Sequence, residues 1–134
     1  MKKLLPAVLL LIPFVVAACG PAAGASGKSP GAASSATVDM NALNFVPNNR
    51  SVTIKAGQAV TFSDPAATGG IHILLTGTNG TFKPIAGAPA VFNTPTGTQI
   101  NVGDTMNVTF SNAGTYPITC TIHPYMEVTI TVTP

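Results

Sequence analysis

Short runs in which β-branched or aromatic residues alternate with polar residues recur from residue 37 onward. The clearest runs are residues 51–55 (SVTIK), 59–63 (AVTFS), 106–110 (MNVTF) and 127–133 (EVTITVT). Glycine, proline, asparagine and aspartate separate the runs, and no stretch keeps a helical period. About seven or eight short strands at this spacing predict an antiparallel β-sandwich.

Two segments depart from this alternation. Residues 82–97 contain three prolines and alternate poorly, which predicts a long irregular connection. Pro117 lies inside the strand-like run 114–120. Since proline cannot donate to a β-ladder, we expect an edge or a bulge at that position.

The N-terminus has the pattern of a targeting segment. Lys2 and Lys3 precede fifteen uncharged residues, 4–18, which is shorter than the roughly 17–25 residues of a spanning helix. We therefore interpret residues 1–18 as a signal peptide. Cys19 directly after two alanines resembles the acylated cysteine of bacterial lipoproteins, which implies a lipidated Cys19 and an extracytoplasmic protein anchored to the cell membrane, on its periplasmic or cell-surface side.

The segment after this cysteine has the composition of a tether. Residues 20–36 consist of alanine, glycine, serine and proline with one lysine, Lys28. Such a sequence behaves as flexible coil. We therefore assign residues 19–36 to the lipidated cysteine and a flexible linker, and residues 37–134 to one domain.

Charge excludes one class of partner. Beyond residue 18 the chain has four basic side chains against four acidic ones, a net charge of zero; these are Lys28, Arg50, Lys55 and Lys83 against Asp39, Asp64, Asp104 and Glu127. With no basic patch, nucleic acid is excluded as a partner, and docking to proteins is expected to be mainly apolar.

Cysteine use raises a question about Cys120. The chain has two cysteines, and if Cys19 carries lipid, Cys120 is the one free thiol in an oxidising compartment. A free cysteine is often a small buried hydrophobe. The residues that follow Cys120 indicate another role.

A loop of seven residues, 120–126, brings together a thiol, an imidazole and a thioether. We call this segment the metal loop. Alternation places Cys120 on the same face as Ile118 and Tyr116, which is the apolar side of its strand. Counting forward, the side chain of Met126 shares a face with three apolar residues, Val128, Ile130 and Val132. Both sulfur atoms therefore approach from the core.

These donors suit one metal above others. Two histidines and one cysteine with a weak axial methionine form the blue-copper arrangement. Apart from His123, the chain has one other histidine, His72. Taken alone, His72 between Ile71 and Ile73 would be a partly buried structural histidine; with the metal loop it completes a ligand set. Met40 and Met106 are expected to be core residues.

The spacing Cys-x-x-His-Pro-x-Met resembles the metal loop of cupredoxins, the family of plastocyanin, pseudoazurin and azurin, and looks most like that of amicyanin. Residues 114–116 (GTY) and 56–62 (AGQAVTF) also match patterns of that family. The resemblance implies a Greek-key β-sandwich with one copper ion that cycles between Cu(II) and Cu(I). Its strong ligands would be His72, Cys120 and His123, with Met126 as the axial ligand. One departure is Ile73, where the family often has an asparagine that ties the ligand loops.

The function expected from these residues is electron transfer. The chain would be a monomer that passes single electrons between redox proteins of a membrane-associated chain, through a surface at His123, Pro124 and Tyr125. The alternatives are an extracytoplasmic copper chaperone or scavenger, and a metal-free structural sandwich that leaves the thiol unexplained. An enzyme is disfavoured because four protein ligands leave no open position for a substrate.

Overall fold

The computed structural model describes residues 34–46 and 50–134, and within these ranges every regular element is a β-strand. None of the described residues forms a helix that could cross a membrane. The predicted signal peptide and Cys19 lie outside the described residues. The strands are β1 (Ser34–Met40), β2 (Phe45–Val46), β3 (Arg50–Lys55), β4 (Gln58–Ser63), β5 (His72–Thr78), β6 (Thr81–Phe82), β7 (Thr98–Ile100), β8 (Thr105–Phe110), β9 (Gly114–Cys120) and β10 (Glu127–Thr133).

The strands form two mixed sheets. One has the order β2-β1-β4-β8, and the other has the order β3-β10-β9-β5-β6 with β7 added to β5. The prediction of an all-β sandwich is confirmed, but its strand count and direction are corrected. The described residues form ten strands, and β1 with β4 and β3 with β10 run parallel. Alternation reveals a strand but not the direction of its partner, and β2, β6 and β7 are too short to show a period.

The core lies between the two sheets and draws on both of them. In β10, Val128, Ile130 and Val132 are buried while the threonines between them are not. The ring of Phe62 contacts those of Phe45 and Phe92 edge to face, with centroids 6.5 and 5.0 Å apart. A single hydrophobic cluster therefore supports the strands that carry the metal loop.

The predicted irregular connection is present between β6 and β7, and side chains fix it in place. Phe92 is fully buried in the core. The carboxamide oxygen of Asn93 accepts hydrogen bonds from Thr76 Oγ1 at 3.1 Å and Ile85 N at 3.0 Å. Its Nδ2 donates to Ile85 O at 2.9 Å. The connection therefore has an irregular backbone, which Asn93 anchors through both the oxygen and the nitrogen of its side chain.

Pro117 occupies a local edge, as its lack of an N–H group predicts. Cys120 N donates to the carbonyl oxygen of Met126, the residue directly before β10. In β9 the amide positions of even-numbered residues therefore face β10, and that of Pro117 faces β5. The ladder between β5 and β9 ends at the pair Thr76 and Ile118. No donor is therefore needed from Pro117.

The first strand begins earlier than the predicted end of the linker. β1 starts at Ser34, so its first three residues fall within the stretch assigned to the linker, and Ala36 packs against the core. The remaining linker residues, up to residue 33, are not described.

Candidate metal centre

Neighbouring strands bring the first two candidate ligands together. His72 opens β5 and Cys120 closes β9, and these strands pair with Leu74 opposite Cys120. One residue, Ile73, separates His72 from that pair, and Thr121 N donates to Ile73 O at 3.0 Å across the same junction. The register of this antiparallel ladder thus places the imidazole of His72 beside the thiol of Cys120, although 48 positions in the sequence separate the two residues.

The metal loop closes on itself through two main-chain hydrogen bonds. Met126 N donates to His123 O at 2.8 Å, and Cys120 N donates to Met126 O at 3.2 Å. Cys120 and Met126 are both fully buried, as are Ile118, Tyr116 and the alternate residues of β10. The predicted inward orientation of both sulfur-bearing side chains is therefore present.

The donor atoms converge at distances that fit a metal ion. Cys120 Sγ lies 3.8 Å from His72 Nδ1 and 3.7 Å from His123 Nδ1. The ligand atoms of these three residues all lie within 4.8 Å of one another. An ion with a metal–sulfur bond of about 2.3 Å and a metal–nitrogen bond of about 2.0 Å, at 120° to each other, requires a separation of about 3.7 Å. The three donors fit trigonal coordination, with the buried Met126 beside them.

Burial keeps the first histidine neutral in the metal-free protein. The pKa of His72 lies below its ordinary value, because burial disfavours its charged form and outweighs the attraction of Asp64. Its Nε2 is buried and has no hydrogen-bond partner among the described residues. The nearby backbone of Asn41 raises the pKa of His72, but less than burial lowers it. A neutral imidazole leaves Nδ1, which faces Cys120, free to bind a metal.

Asp64 is a buried acidic residue that no sequence pattern singled out. It is 0% exposed, and burial raises its pKa, which the neighbouring His72 and a hydrogen bond from Gly70 N lower in part. That bond, to Oδ1, is 3.2 Å long, whereas Oδ2 is buried without a partner in the described part of the chain. A buried carboxyl group thus acts electrostatically on a ligand of the metal centre.

An apolar depression of about 340 Å³ opens beside the half-buried His123. Pro124 and Tyr125 line it, as do Leu43, Asn44 and Ile122. Leu43, Ile122 and Tyr125 are 63%, 47% and 84% exposed. His123, Pro124 and Tyr125, the predicted surface residues, therefore line this depression together with Leu43, from the loop between β1 and β2. Sequence reasoning missed Leu43 because some 80 residues separate it from the metal loop.

Ile73 joins the ligand loops through its backbone. Its carbonyl oxygen accepts the hydrogen bond from Thr121 N, and its side chain lies close to Gly97: a Cβ placed on that glycine would be 2.8 Å from Ile73 Cγ2. The side chain at this position therefore forms no polar tie to the metal loop.

Comparison with known families identifies a match over most of the chain. A family model of copper binding proteins, the plastocyanin/azurin family, matches residues 32–133, which is most of the chain. No curated protein sequence matches this chain.

Solved structures of amicyanin are similar in fold. The crystal structure of amicyanin from Paracoccus versutus (Thiobacillus versutus) superposes with a TM-score of 0.53 at 21% identity, covering 75% of this chain and 83% of that one. The Cu(I) form of a methionine-to-alanine mutant of amicyanin gives 0.53 at 22% identity, covering 78% and 85%. A reduced tryptophan-to-tyrosine mutant gives 0.52 at 22% identity with the same coverage. At these identities the likeness establishes the shared fold.

Proposed function

The chain belongs to the plastocyanin/azurin family of copper-binding proteins, and on that premise we propose that it is a type 1 blue-copper protein that carries single electrons. Membership of this family confirms copper as the predicted cofactor. The observation that carries the proposal is the position of Cys120 Sγ, 3.7 and 3.8 Å from the Nδ1 atoms of two histidines.

The protein contributes a fixed set of donors. When bound, copper supplies a one-electron Cu(II)/Cu(I) couple. His72 and Cys120 are held by paired strands, and the metal loop returns Met126 to the start of β10. Donors held in this way need little rearrangement when the charge at the centre changes, which favours fast electron exchange. Four protein ligands leave no position for a substrate, so the proposed role is that of a carrier rather than an enzyme.

We propose the depression beside His123 as the surface through which the electron passes. His123 is a ligand that is partly exposed, whereas Cys120 is fully buried. The surrounding side chains of Leu43, Ile122 and Tyr125 can be buried against a partner without desolvating a charge. An apolar contact of this kind suits brief encounters with redox proteins.

The second candidate function is a copper chaperone or scavenger. Such a protein would use the same soft donors, but commonly in exposed groups of several methionines or cysteines. Among the described residues, Met40 is buried in the core and Met106 packs against it. A single buried set of mixed donors favours the electron carrier.

An absorption spectrum tests the proposal directly. Adding Cu(II) to the metal-free protein should give an intense visible band from charge transfer between the Cys120 thiolate and the ion. Cys120→Ser should abolish the band, whereas Thr121→Ser, at the exposed neighbouring position, should retain it. A protein that binds one copper without colour would contradict the carrier and favour the scavenger.

We also propose that Cys19 is lipidated and tethers the domain to the outside of the cell membrane. The basic, apolar and small-residue pattern of residues 1–18 supports this location, as does the linker composition of residues 20–33. The tether would let a monomeric domain reach membrane-associated redox partners. Membrane fractionation should find wild-type protein in the membrane and Cys19→Ser either unprocessed or soluble; an unmodified mature start beyond Cys19, seen by intact mass, would exclude lipidation.

A further inference from the structure

The turn between β5 and β6 lies against the metal loop. We call residues 78–81 the hairpin tip. Thr78 pairs with Thr81, and the two residues between them, Asn79 and Gly80, have φ angles of +51° and +68°. This is the tight two-residue turn that asparagine followed by glycine favours, because both positions need a left-handed backbone. The turn presents its main chain, rather than side chains, to its neighbour.

Gly80 is in close contact with both sides of the metal loop. A Cβ built on it would lie 3.3 Å from Cys120 O and 3.3 Å from both Cα and Cβ of Pro124. These distances are shorter than ordinary van der Waals contacts. The bare glycine backbone therefore fills the space next to Cys120 and Pro124.

Two adjacent amide groups of the hairpin tip reach the residues that flank the metal loop. Gly80 N donates to Thr119 Oγ1 at 3.0 Å, and Thr119, directly before Cys120, is fully buried. Asn79 N donates to the carboxylate of Glu127, the residue directly after Met126. A hydrogen bond to a charged acceptor is stronger than one between neutral groups. One rigid turn is thus bonded to the chain immediately before the thiol and immediately after the thioether.

We propose that the hairpin tip braces the metal loop, with Gly80, Thr119 and Glu127 as positioning residues that set how Cys120 and Met126 face the bound metal. The inference rests on the proposed copper site. The brace supplements the main-chain bond from Thr121 N to Ile73 O. The side chain of Ile73 lies close to Gly97. Groups that orient metal ligands typically change metal affinity by about tenfold to a hundredfold when removed.

The test compares two glycines in the full-length, copper-loaded protein. Gly57, in the turn between β3 and β4, also has a left-handed φ of +86°, but a Cβ there would meet nothing within 4 Å. Alanine at either position strains the turn, at a cost on the order of 1 kcal/mol. Only the methyl group of Gly80→Ala would press on the metal loop.

The expected result separates positioning from stability. Both variants should lose thermal stability, but only Gly80→Ala should change the ratio of the thiolate charge-transfer bands and the copper hyperfine splitting, and lower copper affinity by about tenfold or more. Thr119→Val removes the acceptor while keeping the shape, and should change the same signals if Gly80→Ala fails to fold. Wild-type spectra and affinity in Thr119→Val and in folded Gly80→Ala would overturn the brace.

The same experiment distinguishes failure of the brace from failure of the proposed function. A wild-type chain that binds copper without becoming blue contradicts the electron carrier, and the affinity comparison between Gly80→Ala and Gly57→Ala still decides on the brace. A blue wild-type chain with two indistinguishable glycine variants supports the carrier and refutes the brace.

Discussion

His72 and Asp64 show how burial controls the charge of individual residues near the metal centre. Each is fully buried, each keeps one polar atom without a partner among the described residues, and the two influence each other's pKa. Burial favours the neutral form of both. It therefore lowers the pKa of the histidine and raises that of the aspartic acid.

The stability of the metal-free protein should depend on pH through His72. Its folded pKa lies below the unfolded value of 6.5, so the unfolded chain binds a proton that the folded chain rejects. Stability should therefore fall as pH drops through 6.5, by at most about 1.4 kcal/mol per pH unit. The raised pKa of Asp64 has the opposite effect on stability. As pH falls from the folded pKa of Asp64 toward its unfolded value of 3.8, the folded chain binds a proton that the unfolded chain does not, so stability rises.

Urea unfolding of the metal-free protein at pH 8, 7 and 6 measures this effect. His72→Gln should remove the contribution, so the variant should lose less stability than wild type between pH 7 and pH 6. An equal loss in both proteins would assign the pH dependence to another group.

Asp64→Asn should raise the reduction potential of the copper-loaded protein at pH 8. Its negative charge interacts with His72 and should stabilise the more positive oxidation state of an ion bound there, so that removing the charge favours the reduced form. Asparagine keeps an oxygen that can accept from Gly70 N. Voltammetry should show a larger shift for this variant than for Asp39→Asn, which removes an exposed carboxylate; equal shifts would contradict the electrostatic role.

For individual residues, the sequence predicts the candidate metal ligands but not the residues that surround them. Cys120, His123 and Met126 lie within seven residues, so local spacing and alternation were sufficient to orient both sulfur atoms. His72 was found because the chain offers no other histidine. Asp64, Gly80 and Leu43 reach the site through contacts between distant segments, which no local pattern records.

The irregular connection between β6 and β7 is the element whose order depends most on side chains. Its residues have no ladder of their own, and Asn93 supplies three hydrogen bonds to Thr76 and Ile85. Proline content predicted the irregularity of this segment. The anchoring could not be predicted, because an asparagine in a loop sequence carries no sign of its partners.

Asn93→Ala should therefore destabilise the protein without altering the metal centre. Removing three hydrogen bonds, and leaving partly buried groups unpaired, should lower the free energy of unfolding by about 2–4 kcal/mol. Denaturant unfolding measures the loss, with the absorption spectrum of the copper form as a check on the site. Asn112→Ala, which loses one exposed bond to Gly87 O, is the control and should cost well under half as much. Equal losses would mean that the connection is held by other contacts.

At the scale of the whole molecule, the proposed docking depends more on where the exposed apolar side chains lie than on the net charge. Leu43, Ile122 and Tyr125 come from two distant segments and surround His123 on one face. The sequence predicted an apolar docking mode from a net charge of zero beyond residue 18. The location of the full surface depended on how the two sheets pack.

Leu43→Lys should slow electron self-exchange while leaving the absorption spectrum unchanged. Two copies that meet through this face would bring like charges together, and a loss of at least 1 kcal/mol corresponds to a rate about fivefold lower. NMR line broadening in mixtures of the two oxidation states measures the rate. Val91→Lys, at a similarly exposed valine outside the depression, is the control. An equal slowing in both variants would indicate a general charge effect and another docking face.

The position of β10 in the sheet constrains when the domain can fold. The last strand along this chain is an internal one, paired with β3 on one side and β9 on the other, and Met126 directly precedes it. A growing chain leaves the ribosome N-terminus first, so the six-stranded sheet cannot close until the residues of β10 have emerged. The sheet can therefore be completed only after β10 has been synthesised, and a copper site supported by that sheet can form only then.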